Sequence, residues 1–380
     1  MASKKSVLVA LSGGVDSAVA AWQLREAGYD VHAAYLRSWH DETGDGLFAD
    51  CPWEEDIRLG NAVARHLGIS FEVIDVIDAY RERVVDYLVE GYRRGQTPNP
   101  DIMCNREMKF GLLREVAEQQ GFDALATGHY CRRLTGPDGR AAVGVGRDAN
   151  KDQSYFLAMV PGEALQRVLF PVGELEKPAV RELARQIGLP NADRKDSQGI
   201  CFLGKVDINR FLARYIPDRP GEIVHAVDGR VLGEHRGLHH FTLGQRKGIG
   251  VPSNTDHERY VVVAKDFASN QLKVAFDRLT APGLYQWAVE TDLPVWQSPR
   301  TPGAEVLARV RYRDPPVPVR LASQADGLRL DFEVPQRALA IGQVVALYEG
   351  ERLLGGATYR AVDEASSDRE MATALFNANR

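Results

Sequence analysis

Three stretches of the sequence carry residue types that chemistry needs. The first is Ala10-Leu11-Ser12-Gly13-Gly14-Val15-Asp16-Ser17, set between an apolar strand and an amphipathic helix that continues through Ala18, Val19 and Trp22. Paired glycines let a backbone approach a phosphate, while the hydroxyls of Ser12 and Ser17 and the amides of a helix N-terminus donate to it. The same string also reads as a tight strand-to-helix turn, because Gly-Gly and Asp or Ser caps are common there. The chain has no GxxxxGK[ST] pattern. It therefore lacks the loop that cradles the β and γ phosphates in kinases and GTPases.

The second stretch is Thr97-Pro98-Asn99-Pro100-Asp101-Ile102-Met103-Cys104-Asn105, a turn-rich loop feeding a helix expected from about Asn105 to Gln120. A cysteine at a helix N-terminus has its thiolate favoured by the dipole and the unpaired amides. Asp101 is near enough in sequence to handle a proton, and a buried Cys behind a proline turn is the bland reading of the same residues. The third stretch, Asp196-Ser197-Gln198-Gly199-Ile200-Cys201-Phe202, sets a second cysteine among polar residues and glycine. Two loop cysteines suit sulfur chemistry, in which one carries a persulfide and the other closes a disulfide as sulfur leaves. Cys51 and Cys131 are read as structural. Four scattered cysteines make neither a disulfide framework nor a CxxC zinc site, and they fit a reducing cytoplasm.

The elements that must position these groups follow from periodicity. Short apolar runs alternate with helical stretches: Ser6 to Leu11, Asp16 to Gly28, Val31 to Leu36, Glu54 to Gly68, Phe71 to Val76, then a strand over Asp123 to Thr127 ending in ATGHY. That order predicts an α/β fold with a parallel sheet wound with helices. In such sheets ligands bind beyond the carboxyl ends of the strands, where the SGGVDS loop and Gly128-His129 would both fall. A boundary is expected near 210. The assignment is residues 1–210 for the α/β domain, 211–285 for a small mixed middle domain, 286–362 for a β-barrel of short strands and 363–380 for a loose tail. The apolar run near the start is too short for a signal peptide, and no window reaches the roughly 18 apolar residues of a membrane helix.

The formal net charge of −5 excludes a globally basic nucleic-acid coat but not a local basic face. Arg300, Arg309, Arg311, Arg313 and Arg320 stand against only Glu305 and Asp314, and Arg236, His239, His240, Arg246 and Lys247 form a second cluster near Phe241. Either is also what a solvated strand face looks like.

SGGVDS resembles the loop of the PP-loop ATP pyrophosphatases. The set SGGVDS, TPNPD-x-x-C-N, ATGHY, KDQSYFL and DSQGICFLG, extended by FTLGQRKGIG at 241–250, is similar to the tRNA 2-thiouridylase family over most of the chain. The resemblance implies that Ala10 to Ser17, with the backbone near Leu36 and Gly128, hold ATP, and that Asp16 helps with a magnesium ion. It implies that Asn99, Pro100 and Asp101 meet the target base, that Cys104 is the nucleophile and Cys201 the persulfide carrier, and that Asp101 is the acid or base. It places His129, Lys151, Asp152, Gln153, Arg311, Tyr312 and Gln343 against tRNA. The implied reaction adenylates O2 of the wobble uridine at position 34 and replaces it with sulfur, giving 2-thiouridine, AMP and pyrophosphate. The implied partners are the anticodon stem-loop of tRNA and a persulfide donor, a cysteine desulfurase or sulfur relay protein. Competing readings are a PP-loop ligase or amidotransferase acting on a small metabolite, an RNA-binding module with a dead nucleotide fold, and thiolation through an iron-sulfur cluster. The paired loop cysteines favour persulfide chemistry over the first. Two cysteines fall short of the usual four cluster thiolates.

Overall fold

Strand β1 (Ser6–Ala10) is apolar along its length because both its faces are covered. It lies at the centre of a five-stranded sheet in the computed structural model, which describes residues 4–39, 53–196, 208–253, 255, 257–301 and 303–362. Cys51, Cys201 and the expected tail 363–380 lie outside the described residues. With β2 (Asp30–Arg37), β3 (Ser70–Asp75) and β4 (Ala124–Ala126) it belongs to an all-parallel sheet, as expected. The hairpin β5 (Cys131–Thr135) and β6 (Ala141–Val145) then leaves this sheet, and β7 (Val168–Leu169) completes it in the order β3-β2-β1-β4-β7. The chain thus runs from β1 outward to β3 and returns to the other side of β1 at β4. That reversal opens a crevice between the carboxyl ends of β1 and β4.

Helix α1 (Val15–Glu26) follows β1 directly. The sequence reading made it amphipathic, but Val15, Ser17, Ala18, Val19, Ala20, Ala21 and Leu24 are all buried. The reason is tertiary: α1 is packed between the sheet and the helix Lys177–Gln186, in one apolar cluster with Val7, Val9, Val180 and Ala184. Its small residues permit that close approach on two sides.

The middle unit is a four-stranded sheet of β8 (Gly221–His225), β9 (Val231–His235), β10 (Tyr260–Asp266) and β11 (Gln271–Phe276) in the order β10-β11-β8-β9. Beyond it come β12 (Tyr285–Thr291), β13 (Val295–Trp296), β14 (Leu307–Arg309), β15 (Val317–Gln324), β16 (Gly327–Arg337), β17 (Val344–Glu349) and β18 (Arg352–Val362). Pairing runs β12-β16-β15-β14-β17-β18 and back to β12, closing a six-stranded barrel around Val289, Ala308, Leu330, Leu347 and Tyr359. Closure removes the unpaired edges that such short strands would otherwise present.

The barrel is joined to the α/β domain rather than tethered beside it. Strand β6 pairs with β18, and one apolar cluster contains Leu8, Cys104, Tyr155 and Phe211 together with Val344, Tyr348 and Leu353. At this seam Asp152 is buried, accepts hydrogen bonds from the amides of Gly146 and Ser154 at 3.0 and 3.1 Å, and pairs with Arg309 of the barrel at 2.6 Å. Tyr155 donates to the carbonyl of Val344 at 2.7 Å. The KDQSYFL motif is therefore an interdomain joint. Breaking a buried ion pair strands the surviving charge at a cost of about 3–5 kcal/mol, whereas replacing both partners is much milder. Urea denaturation should accordingly show Asp152→Asn strongly destabilised and Asp152→Asn/Arg309→Met partly recovered; equal midpoints for the wild type and the single variant would remove this joint.

Candidate active site

The loop after β1 is built by glycine. Gly13 has φ +75°, and a Cβ there would stand 2.7 Å from the carbonyl oxygen of Asp56 and 2.8 Å from Nη1 of Arg194. Asn191 donates to the Gly13 carbonyl at 2.8 Å, and Arg194 pairs with Asp56, so the segment 191–194 clamps the loop from outside. Burial pushes the Asp56 carboxyl up, against the opposing pull of Arg194. Inside the loop the Ser12 amide donates to Ser17 Oγ at 3.2 Å, and Ser17 Oγ donates to the Gly14 carbonyl at 3.1 Å. Gly128, at the end of β4, lies so close that a Cβ would be 2.6 Å from the Ser17 nitrogen. Ala10 is registered opposite Ala34, which sets Leu36 beyond it at the same end of the sheet. The structure thus gathers Ala10 to Ser17, Leu36 and Gly128 at one end of the sheet, with the Ser17 amide in the first turn of α1 beside Gly128.

Asp16 is the anchor of an ion network. Its oxygens accept from Lys177 Nζ at 2.7 and 2.8 Å and from the Tyr130 hydroxyl at 2.7 Å. Burial first, and then the charge of Asp16, keep the Tyr130 phenol protonated as the donor. Lys177, buried, also reaches Asp196 at 2.8 Å, and Asp196 pairs with Lys151 at 2.6 Å and Arg181 at 2.5 Å. Burial opposes ionisation of Asp196, but Lys151 and Lys177 outweigh it and hold its carboxyl at about 2. This donor set suits a phosphate chain: loop amides flanked by three cations. It does not suit a metal held directly by Asp16, because the Lys177 ammonium occupies the place a divalent cation would take.

The TPNPD loop ends in a helix that starts earlier than the sequence suggested. Asn99 is its cap, with Oδ1 accepting from the Ile102 amide at 3.2 Å, and Pro100 fills the first turn. Cys104 therefore lies at the end of Pro100–Cys104, past the unpaired amides invoked for its thiolate. It is buried, and wide π-helical turns follow over Asn105–Leu112. Such turns recur at functional sites. Asp101 is three residues earlier, on the same helix face. The barrel fixes this loop: Gln343 Nε2 donates to the Thr97 carbonyl at 2.6 Å, and the Thr97 amide donates to Ile341 at 2.8 Å. Tyr312 packs on Phe156 with ring centroids 4.3 Å apart, and the Phe156 carbonyl accepts from Asn105 beside Cys104.

Family models match three successive parts of this chain. The model described as the tRNA methyl transferase HUP domain matches residues 5–205, that of the tRNA methyl transferase PRC-barrel domain 209–276, and that of the aminomethyltransferase beta-barrel domain 289–359. The tRNA-specific 2-thiouridylase MnmA of Akkermansia muciniphila is 50% identical over 359 residues, covering 94% of this chain and 99% of that protein. This chain belongs to the tRNA-specific 2-thiouridylase family. A Flavobacterium johnsoniae member is 38% identical over 399 residues, covering 92% of this chain and 98% of that protein. Among solved structures, a 4-thiouridine synthetase in complex with RNA and ATP is 22% identical, with a TM-score of 0.36 over 56% of this chain and 50% of that one.

Residues assigned to tRNA by resemblance fall into different surroundings in this family member. His129 is buried between Phe110 and Phe170, bonded through Nδ1 to Thr127 at 2.8 Å, and burial and then Lys109 push its pKa well down, so the ring is neutral. Gln153 accepts from the Tyr130 amide at 3.0 Å. Arg311 donates to the carbonyls of Arg337 and Ala338. Arg309, from the first basic cluster, points inward to Asp152, while Arg300, Arg313, Arg320, Arg246 and Lys247 remain exposed. Sequence reasoning missed Lys177, Tyr130, Arg194 and Asn191. Only Tyr130 had a local signal, its place in ATGHY.

The Asp196 pairing has a pH signature. A carboxyl held at about 2 in the native state contributes stability above its ordinary value near 3.9 and loses that contribution as pH falls from about 4 to 2. Acid unfolding followed by circular dichroism should show this limb in the wild type and a flatter one in Asp196→Asn; superimposable curves would mean that the network carries no net stability.

Proposed function

We propose that this chain is an ATP-dependent tRNA sulfurtransferase, a tRNA-uridine 2-sulfurtransferase that converts the wobble uridine at position 34 to 2-thiouridine. The observation that carries the reading is a glycine loop without a Walker lysine at the carboxyl end of β1, with Lys177, Lys151 and Arg181 gathered on Asp16 and Asp196 beside it; a TPNPD segment held by the barrel and leading into Cys104 supports it. The C2 carbonyl of uridine is urea-like and its oxide is a poor leaving group. Attack of O2 on the α-phosphorus of ATP releases pyrophosphate and turns that oxygen into AMP, with Ala10 to Ser17, Leu36 and Gly128 holding the nucleotide and Lys177 and Lys151 facing the charge that develops on the phosphates. Magnesium is read as a companion of the ATP phosphates, not a resident ion on Asp16.

Sulfur delivery is assigned to the cysteines. The outer sulfur of a persulfide on Cys201 attacks C2 and expels AMP; the Cys104 thiolate then attacks Sγ of Cys201, the S–S bond to the departing sulfur breaks, and 2-thiouridine leaves with a Cys104–Cys201 disulfide behind. A thiol reductant returns both cysteines to thiols, and a persulfide donor protein reloads Cys201. Asp101 serves as acid or base, and Asn99 and Pro100 meet the base. Residues 1–210, 211–285 and 286–362 act as catalytic, middle and barrel domains in the cytoplasm. Among the described residues no helix is long and apolar enough to cross a membrane.

Mass spectrometry of tRNA nucleosides after incubation with ATP, magnesium and a persulfide donor should reveal 2-thiouridine together with AMP and pyrophosphate. Cys104→Ser should stall after sulfur loading. Release of ADP, or full multiple turnover by Cys104→Ser, would overturn the scheme.

For RNA binding, the exposed Arg246 and Lys247 support phosphate contacts, at a slope of about −0.9 or less in log affinity per log salt for each contact. Reversing both charges should flatten the salt dependence of tRNA affinity by about one to two contacts, and an unchanged slope would move the RNA face elsewhere.

A further inference from the structure

Away from the crevice, three metal-ligating side chains meet in the middle unit. Asp218 lies in the connector after the helix Ile208–Leu212, and His239 and His240 lie in the 3-10 turn Leu238–His240. One ligand atom from each falls within 4.8 Å of the other two. His240 Nε2 is 2.7 Å from Asp218 Oδ1, and His239 Nε2 is 3.5 Å from the same oxygen. His239 is 6% exposed, and its Nε2 has no hydrogen-bond partner among the described residues.

The surrounding bonds fix which atoms are left to bind. Arg236 donates from Nε and Nη2 to Asp218 Oδ2 at 2.9 and 2.6 Å, holding the carboxylate with Oδ1 turned to the imidazoles. His240 Nδ1 faces the side-chain oxygen of Asn209 at 3.3 Å, and its Nε2 is directed at Asp218 Oδ1 at 2.7 Å. Gly237 has no Cβ, and one would stand 2.7 Å from Cε1 of His239, so that ring is wedged in place. A proton on His240 would satisfy one contact and still leave His239 Nε2 bare. A single divalent cation satisfies all three atoms. Ligands whose far atoms are already hydrogen-bonded are the usual outer shell of a metal site.

We propose that Asp218, His239 and His240 form a binding site for one divalent transition-metal ion of the zinc class, completed by water. Two imidazoles and a carboxylate oxygen suit Zn(II) and Co(II), in a four-coordinate arrangement. The ion cross-links the connector after residue 212 to the turn that leads into FTLGQRKGIG, and so fixes the base of the loop that exposes Arg246 and Lys247.

The test uses the full chain carrying Cys51→Ser, Cys104→Ser and Cys201→Ser, which leaves the buried Cys131 as its one thiol, stripped with chelator and titrated with Co(II) alone. One equivalent should bind with visible ligand-field bands and no thiolate charge-transfer band in the near ultraviolet. His239→Gln and His240→Gln should each weaken binding at least tenfold, and Zn(II) should raise Tm in the parent but not in these variants. Asp218→Asn, which retains the hydrogen-bonding shape, should weaken binding as well. Failure of the parent to bind Co(II), or binding and Zn(II)-induced Tm shifts unchanged in both histidine variants, would overturn the site. Neither readout depends on tRNA thiolation.

Discussion

A buried ammonium holds the crevice together. Lys177 is withdrawn from water, and a charge so placed is tolerated only when carboxylates and hydrogen bonds replace its hydration. It finds Asp16 on the loop after β1 and Asp196 at the threshold of the cysteine-bearing segment. One side chain therefore ties together the glycine loop, the helix that covers α1, and the chain leading toward Cys201. Asp16 carries a further bond from Tyr130, which follows β4, so both strands that border the crevice are tied to the same carboxylate. Removing Asp16 would disturb stability, because it would leave this ammonium buried with less counter-charge.

A second constraint acts across the domains. The barrel contributes Gln343 and the Ile341 carbonyl to the TPNPD loop, and Arg309 to Asp152. Gly342, at φ +88°, brings its backbone so near that a Cβ would be 2.9 Å from the Cβ of Gln96. The loop before Cys104 is thus positioned by residues more than two hundred positions later in the chain.

These two constraints act on different parts of the molecule. One holds loop amides and cations at the carboxyl ends of β1 and β4. The other holds a capped helix whose cysteine is covered by the core shared with the barrel. The middle unit presents Arg246 and Lys247 on an ordered turn, in which Gln245 accepts from the Thr242 amide and donates to the Lys247 carbonyl.

The sequence by itself determined the local elements and the motifs. Apolar runs alternating with helical stretches produced the parallel strands, SGGVDS with Gly128 marked the crevice, and TPNPD with Cys104 marked the second loop. These signals are short-range, since a strand's period, a helix stop and a phosphate loop are each written in a few adjacent residues. The tertiary structure decided what those residues face. Periodicity made α1 amphipathic, but packing on two sides buried it; composition made Arg309 part of a basic face, but the barrel turned it onto Asp152; and the start of the helix at Pro100 carried Cys104 beyond its first turn. Lys177 had no local mark, because its significance is the meeting of Asp16, 161 positions earlier, with Asp196. A buried charge selects its partners by distance in space, and separation along the chain carries no record of that distance.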